Sequence, residues 1–363
     1  MKSFDEIFID KTKYGVKVQT SEYGEVGEHI IIDQGQEQVA GYTDREEGVF
    51  EEVPVIIFGD HTRAIKYVDV PFFLGADGVK VLRSKDENAN YKYLYYALKN
   101  AKIPNTGYNR HFKWLKEVHI NYPDSEKQAE IVEILDKVSS VIKKREDELS
   151  VLENLIKARF VEMFGDPVVH LYKGETVKLD TVADKITVGF VGEASNEYAD
   201  EGVPYLRTQN VRVNRIDLNG LIYVNEAFHN KNQKSIIHPG DVVISRVGVN
   251  RGMAAMIPDS LPEANIANCL IVGQTDNINS YYLAFYMNMS FGKRPQFGAS
   301  VGSAQGVINT SILKKWEVYV PDKKLQDDFF EFSSQIDKSK VAVQKALDET
   351  QLLFDSLMQQ YFG

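Results

Sequence analysis

The feature that most constrains this chain is an internal repeat at an offset of 198 residues. Two segments, one from Pro123 to Gly165 and one from Pro321 to Gly363, align without a gap. Identical pairs include Pro123/Pro321, Asp124/Asp322, Gln128/Gln326, Glu133/Glu331, Leu149/Leu347, Leu155/Leu353, Phe164/Phe362 and Gly165/Gly363. Conservative pairs include Ile134/Phe332, Val138/Ile336, Ile156/Phe354 and Phe160/Met358. Each segment has the signature of one long helix. Pro-Asp opens it with a preset φ and a capping carboxylate, and Gly165 followed by Pro167 stops the first copy. Apolar positions recur in steps of four and three: Ile131, Leu135, Val138, Ile142, Leu149, Leu152 and Ile156 in the first, with Arg145 interrupting. The second seam holds Phe329, Ile336, Val343, Leu347, Phe354 and Leu357.

An apolar stripe of that length must be buried, and its natural partner is the other copy. At ~1.5 Å per residue, about 40 residues make a helix of roughly 60 Å. Both helix ends attached to the second globular segment lie close to it along the chain, which predicts an antiparallel pair. The globular stretches between the helices also match each other, more faintly. Glu22-Tyr23 followed by Ile31 and Gln34 matches Glu197-Tyr198 followed by Leu206 and Gln209. Pro54-Val55-Ile56-Ile57 matches Asp241-Val242-Val243-Ile244, and a helical run at Tyr91 matches one at Tyr281. Short period-two stretches with Gly, Asn and Asp punctuation predict mixed, β-rich domains. The expected plan is α+β: a first domain over 1–122, a helix over 123–165, a second domain over 166–320, and a helix over 321–363.

Composition narrows the function. The 363 residues carry a formal charge of -10, with 43% hydrophobic and 11% aromatic residues, as expected of a folded, non-basic protein. No run of ~18 apolar residues occurs, so no membrane-spanning helix is expected. The opening residues lack the basic and apolar run of a leader, and the single Cys269 cannot form an internal disulfide. A cytoplasmic location is the expectation. The helical segments hold more acids than bases, which suits solvation or docking onto basic proteins.

No catalytic constellation emerges. There is no G-x-x-x-x-G-K-[ST] loop, no H-x-x-x-H or H-E-x-x-H spacing, no Glu-x-Lys and no Asn-Pro-Pro-aromatic motif. The glycine-rich stretch 298–306 lacks a lysine and is expected to be a loop, not a nucleotide cradle. A non-catalytic protein without a metal site or bound cofactor is the expectation.

Binding chemistry concentrates in loops. The second domain offers Arg207, Thr208, Gln209, Asn210 and Arg212, then Arg246, Asn250 and Arg251 around Gly248, then Gln296, Ser300, Ser303 and Gln305. The first offers Gln34, Gln36, Gln38 and Tyr42, then His61, Thr62, Arg63 and Lys66, then Tyr108 with Asn109, Arg110 and His111. Arg pairs with guanine and Asn or Gln with adenine by double hydrogen bonds in the major groove. An alternative stays open on these residues alone: a non-catalytic coiled-coil adaptor with two protein- or glycan-binding heads.

The chain resembles the specificity subunit of type I restriction–modification systems over essentially its whole length. The resemblance rests on Gly202-Val203-Pro204-Tyr205-Leu206-Arg207-Thr208-Gln209-Asn210-Val211, on Gly240-Asp241-Val242-Val243-Ile244-Ser245-Arg246-Val247-Gly248, and on Asn265-Ile266-Ala267-Asn268-Cys269-Leu270-Ile271. Ile32-Asp33-Gln34-Gly35, Gly41-Tyr42, Ile57-Phe58-Gly59-Asp60, Gly107-Tyr108-Asn109-Arg110-His111-Phe112 and the Pro-plus-Gln helix openings add to it. It implies two target-recognition domains, each reading half of a bipartite double-stranded DNA target, with two antiparallel helices between them. It implies that the helices set the unread spacer and dock two methyltransferase subunits, which bind S-adenosylmethionine and methylate adenine. Motor-nuclease subunits using ATP and Mg are further partners the resemblance allows.

Overall fold

The computed structural model describes residues 1–75, 77–167, 169, 171–290 and 307–363. The chain forms two compact units, Met1–Glu148 with Val343–Gly363, and Leu149–Ala342. Both long helices are single 40-residue elements, α2 (Ser125–Phe164) and α4 (Lys323–Phe362). Each is divided between the units, so each unit holds the first part of one helix and the last part of the other.

In the first unit, β1 (Phe8–Asp10), β4 (Val55–Gly59), β5 (Ile65–Val68) and β7 (Val79–Ser84) form an antiparallel sheet in the order β1-β7-β4-β5. A second sheet pairs β2 (His29–Ile32) antiparallel with β3 (Gly41–Thr43) and parallel with β6 (Phe72–Leu74). Helix α1 (Tyr91–Lys99) starts at Asn90, whose side chain accepts from the Tyr93 N–H at 3.1 Å. β4 is buried at all five positions, as expected of a central strand that reads Val-Ile-Ile-Phe-Gly and has no polar face.

The second unit repeats this topology. β8 (Ile186–Val188), β13 (Val242–Ser245), β14 (Ala254–Met256) and β16 (Cys269–Val272) form an antiparallel sheet in the order β8-β16-β13-β14. In both units the first, second, third and fourth strands along the chain therefore stand in the order 1-4-2-3. The second sheet runs β9 (Tyr198–Ala199), β11 (Ile222–Val224), β10 (Val203–Leu206), β15 (Ala264–Ile266), β12 (Ile236–Ile237), with β10 and β15 parallel as β2 and β6 are. Helix α3 (Ser280–Ser290) matches α1, and Asn279 caps it by accepting from the Tyr281 and Tyr282 N–H groups. The faint matches at Ile31/Leu206, Val55/Val242 and Tyr91/Tyr281 thus fall on equivalent elements.

The helices are antiparallel, as expected, within each unit. In the first, Ile131 and Leu135 share a core with Phe354 and Met358, while Arg145 reaches back toward Ala346 and Thr350. In the second, Ile156, Phe160 and Phe164 share a core with Phe329, and Lys340 pairs with Glu153 at 3.7 Å. Buried positions follow the 198-residue offset: Ile131/Phe329, Ile156/Phe354, Phe160/Met358 and Gln128/Gln326 are each no more than 7% exposed. Phe160 packs its ring against Phe164, Tyr282, Phe285 and Phe329 at centroid distances of 5.0–5.6 Å. Burial of each such side chain stabilises by ~1.5–3 kcal/mol, with a further contribution from edge contacts. Arg145, the charge that interrupts the seam, donates to the Ala346 carbonyl and the Thr350 hydroxyl, so it is bonded where an aliphatic residue would pack.

The repeated Pro-Asp-x-x-x-Gln opening is a cap. Asp124 Oδ1 accepts from the Lys127 N–H at 2.8 Å. Gln128 Nε2 donates to the Pro123 carbonyl at 2.8 Å, and Gln326 Nε2 to the Pro321 carbonyl at 2.7 Å. Gln326 Oε1 also accepts from the Asn279 N–H at 2.7 Å, tying the start of α4 to the cap of α3. At the other end, Gly165 adopts φ +92°, and a Cβ there would sit 2.0 Å from the Leu171 carbonyl oxygen, so only glycine fits.

Gln326→Leu would leave the buried Pro321 carbonyl and the half-buried Asn279 N–H without this partner and should lower the stability of the second unit by about 1–3 kcal/mol. The two tryptophans fall one per unit. Urea unfolding followed by Trp316 fluorescence in a Trp114→Phe background reports this unit, and a loss below ~0.5 kcal/mol would contradict the cap.

Candidate nucleic-acid interface

In the first unit three connections meet: the loop after β2 (33–40), the β4–β5 turn (60–64) and the stretch after α1 (100–111). Gln34 Oε1 accepts from the His61 N–H at 3.3 Å, and the Thr62 hydroxyl donates to the Gln34 carbonyl. Arg63, at φ +62°, donates through Nη1 to the Ile103 carbonyl at 3.2 Å. The His111 N–H donates to the Asp60 carbonyl at 2.8 Å. Gly78, at φ +95°, leaves no room for a Cβ against the Gln34 amide, and so lets that loop lie on the turn.

The second unit brings together the loop after β10 (207–210) and the β13–β14 connection (246–253), at the same places in the topology. Asn250 Nδ2 donates to the Thr208 and Val211 carbonyls at 2.9 and 3.2 Å, clamping one loop to the other. The Ile308 N–H donates to the Arg246 carbonyl at 3.3 Å. This repeats the His111–Asp60 link: in each unit the segment before the next short helix bonds to the first residue after the central strand.

The candidate residues sort into holders and presenters. Chemistry alone placed His111, Lys66, Asn210 and Asn250 among possible base contacts; in the structure all four are buried, at 0–5% exposure. His111 Nδ1 lies 3.0 Å from the Asp60 carbonyl. Asn210 Oδ1 accepts from the Arg207 N–H at 2.9 Å, and its Nδ2 donates to the Asp217 carbonyl at 2.9 Å. Lys66 Nζ stands 3.5 Å from Asp33 Oδ1; burial pulls the Lys66 pKa below the ordinary lysine value, against the opposing pull of Asp33. These groups hold loops in place. Asn109 is exposed, but its Nδ2 bonds its own loop at the Thr106 carbonyl. Gln38 is tied to the Tyr67 carbonyl at 2.7 Å. Tyr42 stands apart on β3, opposite Ile30.

Gln36, Arg110 and Gln209 are exposed, while Gln34, His61, Thr62, Arg63, Arg207, Thr208, Arg212, Arg246 and Arg251 are half-buried at the loop surfaces. Arg212 Nη1 approaches Asn250 at 3.5 Å, and its Nε lies 3.8 Å from Asp217. The Nε atoms of Arg207, Arg246 and Arg251 are buried without a hydrogen-bond partner among the described residues, and none of the three pairs with a carboxylate there. A buried donor without an acceptor carries a desolvation cost, and a guanidinium has further N–H groups with which to meet a phosphate or base. Gln296, Ser300, Ser303, Gln305 and the glycine-rich stretch 298–306 lie outside the described residues.

The sequence reading passed over two clefts. One of about 770 Å³ in the first unit is lined by Asp10, Thr12, Lys13, Gly15, Lys17 and Lys80. One of about 460 Å³ in the second includes Gly189, Phe190, Lys231 and Lys234. Both are walled by the loop that follows the first strand of the four-stranded sheet. Their lysines are scattered along the chain, so no local motif marks them. Lys17 bonds Asp77 and holds that carboxyl below the ordinary value, with Arg110 adding to the effect. The basic cleft thus adjoins the Gln34 loop through Asp77 and Gly78. Cys269 is fully buried, and burial pushes its thiol far up, away from nucleophile chemistry. Among the described residues no group of three or more His, Cys, Asp or Glu is placed to hold a metal ion, and no helix is long and apolar enough to cross a membrane.

Comparison with known proteins adds to this geometry. A 177-residue stretch is 29% identical to the specificity subunit of the type I restriction enzyme EcoR124I/EcoR124II of Escherichia coli. That match spans 45% of this chain and 42% of the relative, so less than half of either. The fold is that of the type I restriction–modification S subunit from M. genitalium, at a TM-score of 0.61 and 16% identity over 100% of this chain and 95% of that one. A chain from a structural study of assembly and conformational transition in the type I system aligns at a TM-score of 0.55 and 17% identity, over 99% and 96% of the two chains. The model of the type I restriction modification DNA specificity domain matches residues 6–154 and 173–350, and the chain belongs to that family.

Proposed function

We propose that this chain is the DNA sequence-specificity subunit of a type I restriction–modification complex, with each unit reading one half of an asymmetric bipartite target. The observation that carries the reading is the repetition of one loop constellation in both units. Connections at equivalent places meet, are pinned by the same backbone link, and present different side chains. One scaffold with two unlike surfaces suits two unlike half-sites. The arginines with unpaired Nε atoms supply donors for guanine edges or phosphates, and Gln34, Gln36 and Gln209 supply amides for adenine. The lysine clefts supply phosphate contacts that carry no sequence information.

The chain itself is non-catalytic in this reading. S-adenosylmethionine is bound by two methyltransferase subunits that methylate adenine, and ATP and Mg by motor-nuclease subunits where they join. The long helices dock the methyltransferases and set the spacer between half-sites. Exposed apolar side chains on both helices support a protein partner there: Val151 is 64% exposed, Val341 71% and Leu352 69%. The charge of -10 supports a division of labour. Affinity for duplex DNA follows phosphate neutralisation, so much of the grip comes from the partners. Action on chromosomal and incoming DNA places the complex in the cytoplasm.

Exchange of residues 171–315 for the equivalent part of another family member should change one half of the methylated motif and leave the other half intact. A change in both halves would overturn the modular reading. Arg207→Ala or Arg246→Ala should cost ~1–3 kcal/mol in binding by the assembled complex and relax specificity at one position of the second unit's half-site. Equal weakening on every sequence would assign that arginine to phosphate instead.

A further inference from the structure

Tyr108 is 86% exposed, far more than any other aromatic ring on the described surface of the first unit, and yet it is not loosely held. Its ring lies on the His61 imidazole at a centroid distance of 4.7 Å and an interplanar angle of 10°. The loop that presents it is built from its own hydrogen bonds. Asn105 Oδ1 accepts from the Gly107 N–H at 3.2 Å, Asn109 Nδ2 donates to the Thr106 carbonyl, and Thr106 meets His111 Nε2 at 3.3 Å. His111 is fully buried and bonded to Asp60, so the loop is anchored to the β4–β5 turn that carries His61. One face of the Tyr108 ring is covered by His61 and the other is open. Arg110 follows two residues on, and the Gln34 amide bonds the His61 backbone.

We infer that the Tyr108–His61 stack is a platform for a nucleobase of the first half-site, an inference that rests on the DNA reading given above. Edge contacts in a groove do not need an open aromatic face; stacking does. Within a closed duplex each base already has a neighbour on both faces, so the ring can meet a base face only where the stack is opened. Adenine methylation in duplex DNA provides such an opening, because the target base must leave the stack for its reactive amine to be reached, and its former neighbours or partner are then uncovered. Aromatic side chains are well suited to occupy that gap and hold the distorted duplex. Tyr108 is pre-organised for this, since its ring is already oriented by His61 and its loop is already folded.

The test uses the complete complex with its methyltransferase subunits and a duplex carrying its methylated motif. Each pyrimidine of the first half-site, on both strands, is replaced in turn by its 5-iodo analogue, which photocrosslinks to aromatic rings stacked on it. The crosslinked peptide is identified by mass spectrometry. The expected result is a crosslink to Tyr108 at one position, retained in Tyr108→Phe and absent in Tyr108→Ala. Tyr108→Ala should also weaken binding of the half-site by about 5- to 150-fold, with Tyr108→Phe within about twofold of the parent. Bound duplex without a Tyr108 crosslink at any position, or unchanged affinity in Tyr108→Ala, would overturn the platform and leave the DNA reading intact. Failure of the parent complex to bind the duplex at all would overturn both.

Discussion

The structure depends on reciprocal burial at the helix ends. Each β-rich unit closes its core with the start of one long helix and the end of the other. Ile131 and Leu135 with Phe354 and Met358 do this in the first unit, and Phe329 with Ile156, Phe160 and Phe164 in the second. Neither helix carries an apolar face sufficient to fold alone, since helices take most of their stability from tertiary packing. The cores instead concentrate at the ends. No residue from 136 to 155 or from 334 to 353 is fully buried. The capping glutamines secure those ends, and Gln326 additionally links its helix to the start of α3.

This arrangement frees the loops for recognition. The sheets and helix ends provide stability, while the connections after β2 and β4 in the first unit, and after β10 and β13 in the second, lie at the surface and are pinned at few points. The pins are polar side chains whose chemistry would serve equally well for base contacts: Asn250, Asn210 and His111. What separates a pin from a presenter is burial and an existing partner. Three arginines of the second unit's loops, Arg207, Arg246 and Arg251, each keep a buried Nε without a partner among the described residues, as Arg159 on the long helix also does.

Much of the fold was legible in the sequence, and for physical reasons. The offset of 198 exposed the helices and their caps, because Pro, Asp, Gln and Gly at helix ends do jobs that few other residues can do, and chain connectivity gave their antiparallel pairing. The strand order was not legible. Short strands such as β9 and β12 have only two residues, too few to carry a period, and the parallel pairing of β10 with β15 joins segments some 60 residues apart. For the candidate interface, residue chemistry picked out loops that the fold brings together within each unit, but not which of their side chains are buried. Lys66 looks like a surface cation in sequence and is buried beside Asp33. The lysine clefts were invisible because Lys13, Lys17 and Lys80 come together only through the sheet. The role of Tyr108 follows from a stacking contact with a residue 47 positions away.

The most direct test of specificity function is a genome-wide map of modified bases in the host with this gene intact and with it deleted, the methyltransferase partner being expressed in both. The account predicts that deletion removes methylation from one asymmetric, gapped, adenine-methylated motif and that re-expression restores it. An unchanged set of methylated motifs would contradict it.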